Sequence, residues 1–107
     1  MDNEKEFEFY EWNKEVIKTL TQKKGVYSII LEDGSYYYIG ASYNLVKRVN
    51  RFFGKGWQSL VRQGIKFKVH ITFCENMNEA SKLEYDMIEK IKPKENTGSR
   101  YSWKQKK

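Results

Sequence analysis

The chain has 107 residues, the size of one compact domain with one core, and a formal net charge of +6. Its 39% hydrophobic and 16% aromatic content excludes wholesale disorder, and no apolar run approaches the ~20 residues of a membrane span. The acidic start MDNEKEFEF is not a signal peptide, and a lone cysteine, Cys74, permits neither an internal disulfide nor a metal knuckle, so a reducing, cytoplasmic setting is expected.

Phe9, Trp12, Val16 and Leu20 recur at helical spacing, which predicts an amphipathic helix over residues 8–22. It belongs to an N-terminal helical extension, residues 1–23, whose acidity suits a structural cover. KKGVYSIIL is β-branched and aromatic and reads as a strand. EDGS supplies a hairpin turn at Asp33-Gly34, and YYYIG is the return strand, ended by Gly40. Alternation puts Tyr27 with Ile29, Tyr36 with Tyr38, and Tyr37 with Ile39. Tyr36, Tyr37 and Tyr43 read as sheet packing.

Ser42 or Asn44 caps a helix running to about Phe53. After the loop GKG, Trp57, Leu60 and Val61 mark a short helix stopped by Gly64. KFKVHITF alternates cleanly and is a third strand. Asn78 caps a last helix that ends before Pro93. The expected fold is an α/β domain of α+β character, a small three-stranded sheet flanked by helices over residues 24–97. A basic, aromatic tail follows, residues 98–107, in which Arg100, Tyr101, Trp103 and Lys104 are either a grip on nucleic acid or a strap on the domain.

Charge is unevenly spread. The first fifteen residues carry six acids and two bases, whereas residues 34–74 carry no acid and seven bases. An acid-free basic stretch is either a solvated surface or the footprint of a phosphate-backbone binder. On the last helix, Ala80, Leu83, Met87, Ile88 and Ile91 form one apolar stripe, and Glu84 falls inside it. A carboxylate there is either bridged at the stripe's edge or held for a metal. Gly40 permits close backbone approach, and Arg48 lies on the helix that follows.

Together these pieces resemble the GIY-YIG nuclease family. Its first word appears as Gly25-Val26-Tyr27 and its second as Tyr38-Ile39-Gly40, eleven residues apart tyrosine to tyrosine. In YIGASYNLVKR, Arg48 follows the second tyrosine by ten residues. EASKLEYDMIEKIKPKEN resembles the closing helix, with Glu84 as the metal-binding glutamate and Asn96 past Pro93. The resemblance implies hydrolysis of a DNA phosphodiester with one divalent cation, Mg²⁺ or Mn²⁺, on Glu84. It places Tyr27, Tyr38, Arg48, Glu84 and Asn96 in the site. Arg48 would grip the scissile phosphate through its fixed fork of donors. Tyr27 would orient or deprotonate the attacking water, with Tyr38 beside it. A free tyrosine has pKa ~10, so such a base needs nearby positive charge.

The chain departs from the family pattern at Phe52, where many members carry histidine or tyrosine, and at Ala41, where some repair-type members carry lysine. His70, the one histidine, is either a stand-in proton carrier or a solvated strand residue. Nonspecific DNA affinity would come from Gly40, Lys47, Arg51, Lys55, Arg62, Lys66 and Lys68 and fall with salt. Trp57 would either stack on an unpaired base or pack in the core. So small a domain has little room for sequence reading, which leaves specificity to a partner protein or an added domain. The alternative is a catalytically silent nucleic-acid-binding module of the same fold.

Overall fold

A computed structural model of the chain describes residues 4–20, 23–56 and 58–93. Trp57, Asn96 and the tail, residues 98–107, lie outside the described residues, as does the side chain of Lys55.

The run GVYSIIL becomes strand β2 (Gly25–Leu31), buried along its whole length. That is the signature of a central strand covered on both faces. It pairs antiparallel with β3 (Tyr36–Ser42) on one side and with β4 (Phe67–Phe73) on the other. The sheet has four strands, not the expected three, in the order β1-β4-β2-β3. The added edge strand, β1 (Glu4–Glu8), pairs antiparallel with β4.

The N-terminal helix is correspondingly shorter than expected. Glu4, Glu6 and Glu8 alternate with Lys5 and Phe7, a strand's period of two rather than a helix's 3.6. Glu4 and Glu6 then face the polar side chains of β4. Glu6 lies 3.4 Å from the Lys68 ammonium, and Glu4 3.0 Å from His70 Nε2. A single 3₁₀ turn (Phe9–Glu11) follows. Asn13 Oδ1 then accepts the N–H groups of Glu15 (2.9 Å) and Val16 (3.1 Å). That cap starts helix α1 (Lys14–Leu20). Phe9 and Trp12 therefore reach the core from the turn before the helix.

Helix α2 (Leu45–Arg51) is capped by Asn44, whose side chain accepts the Lys47 N–H. It runs into a wide π-helical turn (Phe52–Gly56) and helix α3 (Gln58–Arg62). Helix α4 (Met77–Ile91) is capped two residues earlier than expected: Asn76, not Asn78, accepts the Glu79 N–H at 2.8 Å. It closes at Lys92, which takes a left-handed conformation before the buried Pro93.

The sheet divides two cores. On one face, Tyr27, Ile29, Leu31, Phe67, Val69 and Ile71 pack against Leu20, Leu45, Val49 and Leu60 of α1, α2 and α3. On the other, Val26, Ile39 and Ala41 pack against Ala80 and Ile88 of α4. Phe7 joins the first core at its margin, edge-on to Trp12. We expect Phe7→Ala to lower the unfolding free energy by about 1–3 kcal/mol, since half of a large ring is buried. Lys5→Ala, exposed on the same strand, should change it by under about 0.5 kcal/mol in the same urea titration. Equal and negligible losses would place residues 4–8 outside the sheet.

Candidate active site

The two glycine-flanked words meet across one strand pair. Tyr27 sits directly opposite Gly40 in the β2–β3 register. Its ring lies against that glycine: a methyl group added there would meet ring atoms and the hydroxyl of Tyr27 at 2.8–2.9 Å. Gly25 is equally tight, because a side chain there would strike the Thr72 carbonyl of β4. The glycines of the two words are thus forced by close approach, one of an aromatic ring and one of backbone.

A β-bulge decides where the remaining phenols go. Pairing shifts between Ile29 and Ile30, opposite Tyr38 and Tyr36, so Tyr37 is the extra residue. Strict alternation therefore fails. Tyr36 packs with the α4-side core, while Tyr37 and Tyr38 both pack with the α2-side core. Tyr38 reaches within 5.8 Å of Tyr27, ring centre to ring centre, at 38°. Tyr27 is 4% exposed, whereas Tyr38 is only half-buried.

Arg48 lies on α2, which presses Leu45 and Val49 into the same core as Tyr27. This puts the arginine's helix on the phenols' side of the sheet, with Arg48 itself partly exposed. Glu84 falls where the stripe argument put it, 6% exposed between Ala80 and Ile88. Its helix covers the opposite face, packed on β3 and β2. The structure thus gathers Tyr27, Tyr38 and Gly40, sets Arg48's helix beside them, and brings Glu84 to the same strand pair from behind.

Other candidates sort by face. His70 pairs with Ser28 across the strands while Ile71 pairs with Tyr27. The imidazole therefore points away from the phenols, toward Glu4, and is not placed to relay their protons. Phe52 fills its position as core: its ring meets Phe67 at 5.6 Å, Phe53 at 5.7 Å and Tyr37 at 6.5 Å. Burial, and then the Glu79 carboxylate, push the Cys74 thiol up, which leaves it protonated at neutral pH.

The proposed phosphate-contacting bases also divide. Lys47 and Arg51 are exposed on α2, and Arg62 is exposed on α3. Lys68 is instead paired with Glu6, and Lys66 shares a hollow with Glu6, Glu8 and Glu32. The acidic β1 was not expected to reach them. Its alternating EKEFE was the signal that a helical reading passed over. Tyr43, read above as sheet packing, is 69% exposed.

Among the described residues no three His, Cys, Asp or Glu side chains gather as a metal cluster. The site thus offers one buried carboxylate. A hard divalent ion that keeps most of its waters fits such a donor. Replacing Gly40 by alanine must displace the buried Tyr27 ring. We expect a loss of about 1–3 kcal/mol in unfolding free energy and a changed tyrosine near-ultraviolet signal. A Gly40→Ala variant as stable as wild type would mean that the ring does not rest on the glycine.

The chain is similar to known proteins over most of its length. Residues 23–96 match the GIY-YIG catalytic domain. The chain is 33% identical over 85 residues to the UvrABC system protein C of Mycoplasma capricolum, covering 78% of this chain and 15% of that protein. The corresponding protein of Francisella philomiragia is 33% identical over 98 residues, covering 89% of this chain and 15% of the relative. That of Francisella tularensis subsp. novicida is 32% identical over 99 residues, covering 90% and 16%. The chain thus spans about one sixth of the length of these relatives. With the family model matched over residues 23–96, most of the sequence, the chain belongs to the GIY-YIG catalytic domain family.

Proposed function

We propose that the domain is a metal-dependent DNA endonuclease that hydrolyses one phosphodiester bond at a time. The observation that carries this reading is the packing of Tyr27 on Gly40 with Tyr38 beside it. It fixes the buried Tyr27 ring against the strand and leaves the half-buried Tyr38 beside it open to solvent.

β3 is an edge strand. Groups approaching from its two faces share only the space past its outer edge, so the scissile phosphate belongs there. Arg48 would donate paired hydrogen bonds to the phosphate oxygens, a task for which a planar fork exceeds a lysine. Glu84 would hold Mg²⁺ or Mn²⁺, which when bound supplies Lewis-acid stabilisation of charge on the phosphate and the leaving oxygen. Water and phosphate oxygens would fill its remaining positions. Asn96, carried over from the family resemblance alone, would complete the set.

The difference in burial supports a reading in which the two phenols exchange the roles expected above. Tyr27 is enclosed, so the more open Tyr38 would meet the attacking water, and Tyr27 would fix its ring and hydroxyl from behind. Lys47, Arg51 and Arg62 would bind flanking phosphates, with affinity falling as salt rises. Lys55 remains a candidate for the same role. Lys66 and Lys68 contribute less because acids already face them.

The core position of Phe52 favours a second reading, a module of this fold that binds DNA without cutting it. Supercoiled plasmid separates the two. Wild type with Mg²⁺ or Mn²⁺ should nick it, and Glu84→Ala should do so about 10²–10³-fold more slowly. Glu84→Ala cutting as fast as wild type would remove the metal assignment, and salt-sensitive binding without cutting would favour the second reading. Within the active protein, Tyr38→Phe should slow single-turnover cleavage more than Tyr27→Phe. The reverse order would return the water to Tyr27.

A further inference from the structure

The most exposed aromatic side chains among the described residues are Tyr10 and Tyr43, at 71% and 69%. Their surroundings differ. Tyr10 sits between Glu8 and Glu11 on the acidic N-terminal segment, its ring edge-on to Phe9 at 5.5 Å. Tyr43 has no ring partner and no side-chain hydrogen bond among the described residues. It lies inside the acid-free stretch, four residues before the exposed Lys47.

Its backbone is nonetheless firmly held. The Ser42 hydroxyl donates to the Asn44 carbonyl and accepts the Asn44 N–H, both at 2.9 Å. Asn44 Oδ1 accepts the Lys47 N–H at 3.1 Å, and the Leu45 N–H donates to the Lys23 carbonyl at 3.0 Å. The residues on either side are thus pinned to the core and to α2, while a large ring between them is left in water. Tyr43 is three residues past Gly40 and five before Arg48. A rigidly based, solvent-facing ring joining these two parts of the site has a flat π-face to offer and no packing role.

We propose that Tyr43 is a stacking platform for an unpaired nucleobase next to the phosphate that is cut. This rests on the endonuclease reading above and narrows its substrate class. Bases inside a continuous duplex are stacked on both sides and offer the ring nothing. At a fork, flap, bulge or strand end, one face is bare. Lys47 would hold the adjoining phosphate, and Tyr43 would then favour discontinuous DNA over continuous duplex. Loss of one base–aromatic stack corresponds to a weakening of roughly tenfold.

The test compares single-turnover cleavage of a forked oligonucleotide with that of a fully paired duplex of the same sequence. Binding is followed in parallel, without metal, by the fluorescence of a 2-aminopurine placed at the fork. Wild type should prefer the fork and quench the probe. Tyr43→Ala should reduce the fork-to-duplex ratio about tenfold and relieve the quenching. Tyr43→Phe and Tyr43→Trp should keep both, since the ring face and not the hydroxyl does the stacking. A ratio and a quench unchanged in Tyr43→Ala would overturn the proposal, and Tyr43 would then be a surface for a protein partner or none. Failure of wild type to cut either DNA with Mg²⁺ or Mn²⁺ would instead sink the endonuclease reading, while the metal-free quench still reports on stacking.

Discussion

The contact on which the rest depends is that of one aromatic ring with one missing side chain. Tyr27 can be buried on the helix-covered face of β2 only because its partner across the ladder, Gly40, leaves room for the ring. That arrangement fixes the phenol without a long side-chain tether. β3 has no further strand beyond it among the described residues, and helices carrying an arginine and a glutamate cover its two faces, which supports the position proposed for the site.

Charge is partitioned by the same topology. β1 sits at the far edge of the sheet and carries its own acids to β4, where Glu6 and Glu4 face Lys68 and His70. Exposed ion pairs of this kind add little stability. Their effect is on the field: positive charge at the β4 side is offset, while α2 and α3 keep Lys47, Arg51 and Arg62 without nearby acids in sequence. In the proposed reading a polyanion would be drawn to the helical side that carries Arg48. The N-terminal segment is then part of the sheet and of its electrostatics, a larger role than that of a cover.

Much of this was legible in the sequence because each signal had a period. The alternation of KFKVHITF gave β4 its faces, and the 100° stripe on α4 placed Glu84 against the sheet. What escaped were the places where a period breaks or two periods compete. The bulge at Tyr37 inverts the alternation of the YYY run, and nothing local in three identical residues marks which one is extra. Residues 4–8 satisfy strand alternation while Phe9, Trp12, Val16 and Leu20 satisfy a helical spacing; pairing with β4 makes the first a strand, and the helix starts only at Lys14, after the turn at Phe9. Tyr43 was misjudged because exposure is set by a loop's hydrogen bonds and not by residue type.

The central claim is that Glu84, though it approaches from behind the sheet, serves the same phosphate site as the phenols on the front. Paramagnetic broadening by Mn²⁺ in isotope-labelled protein tests it most directly. The account predicts that signals of Glu84 and of Tyr38 through Gly40 broaden together, and that Glu84→Gln abolishes both. Broadening restricted to the outer acids of α4, Asp86 and Glu89, or left intact by Glu84→Gln, would contradict it.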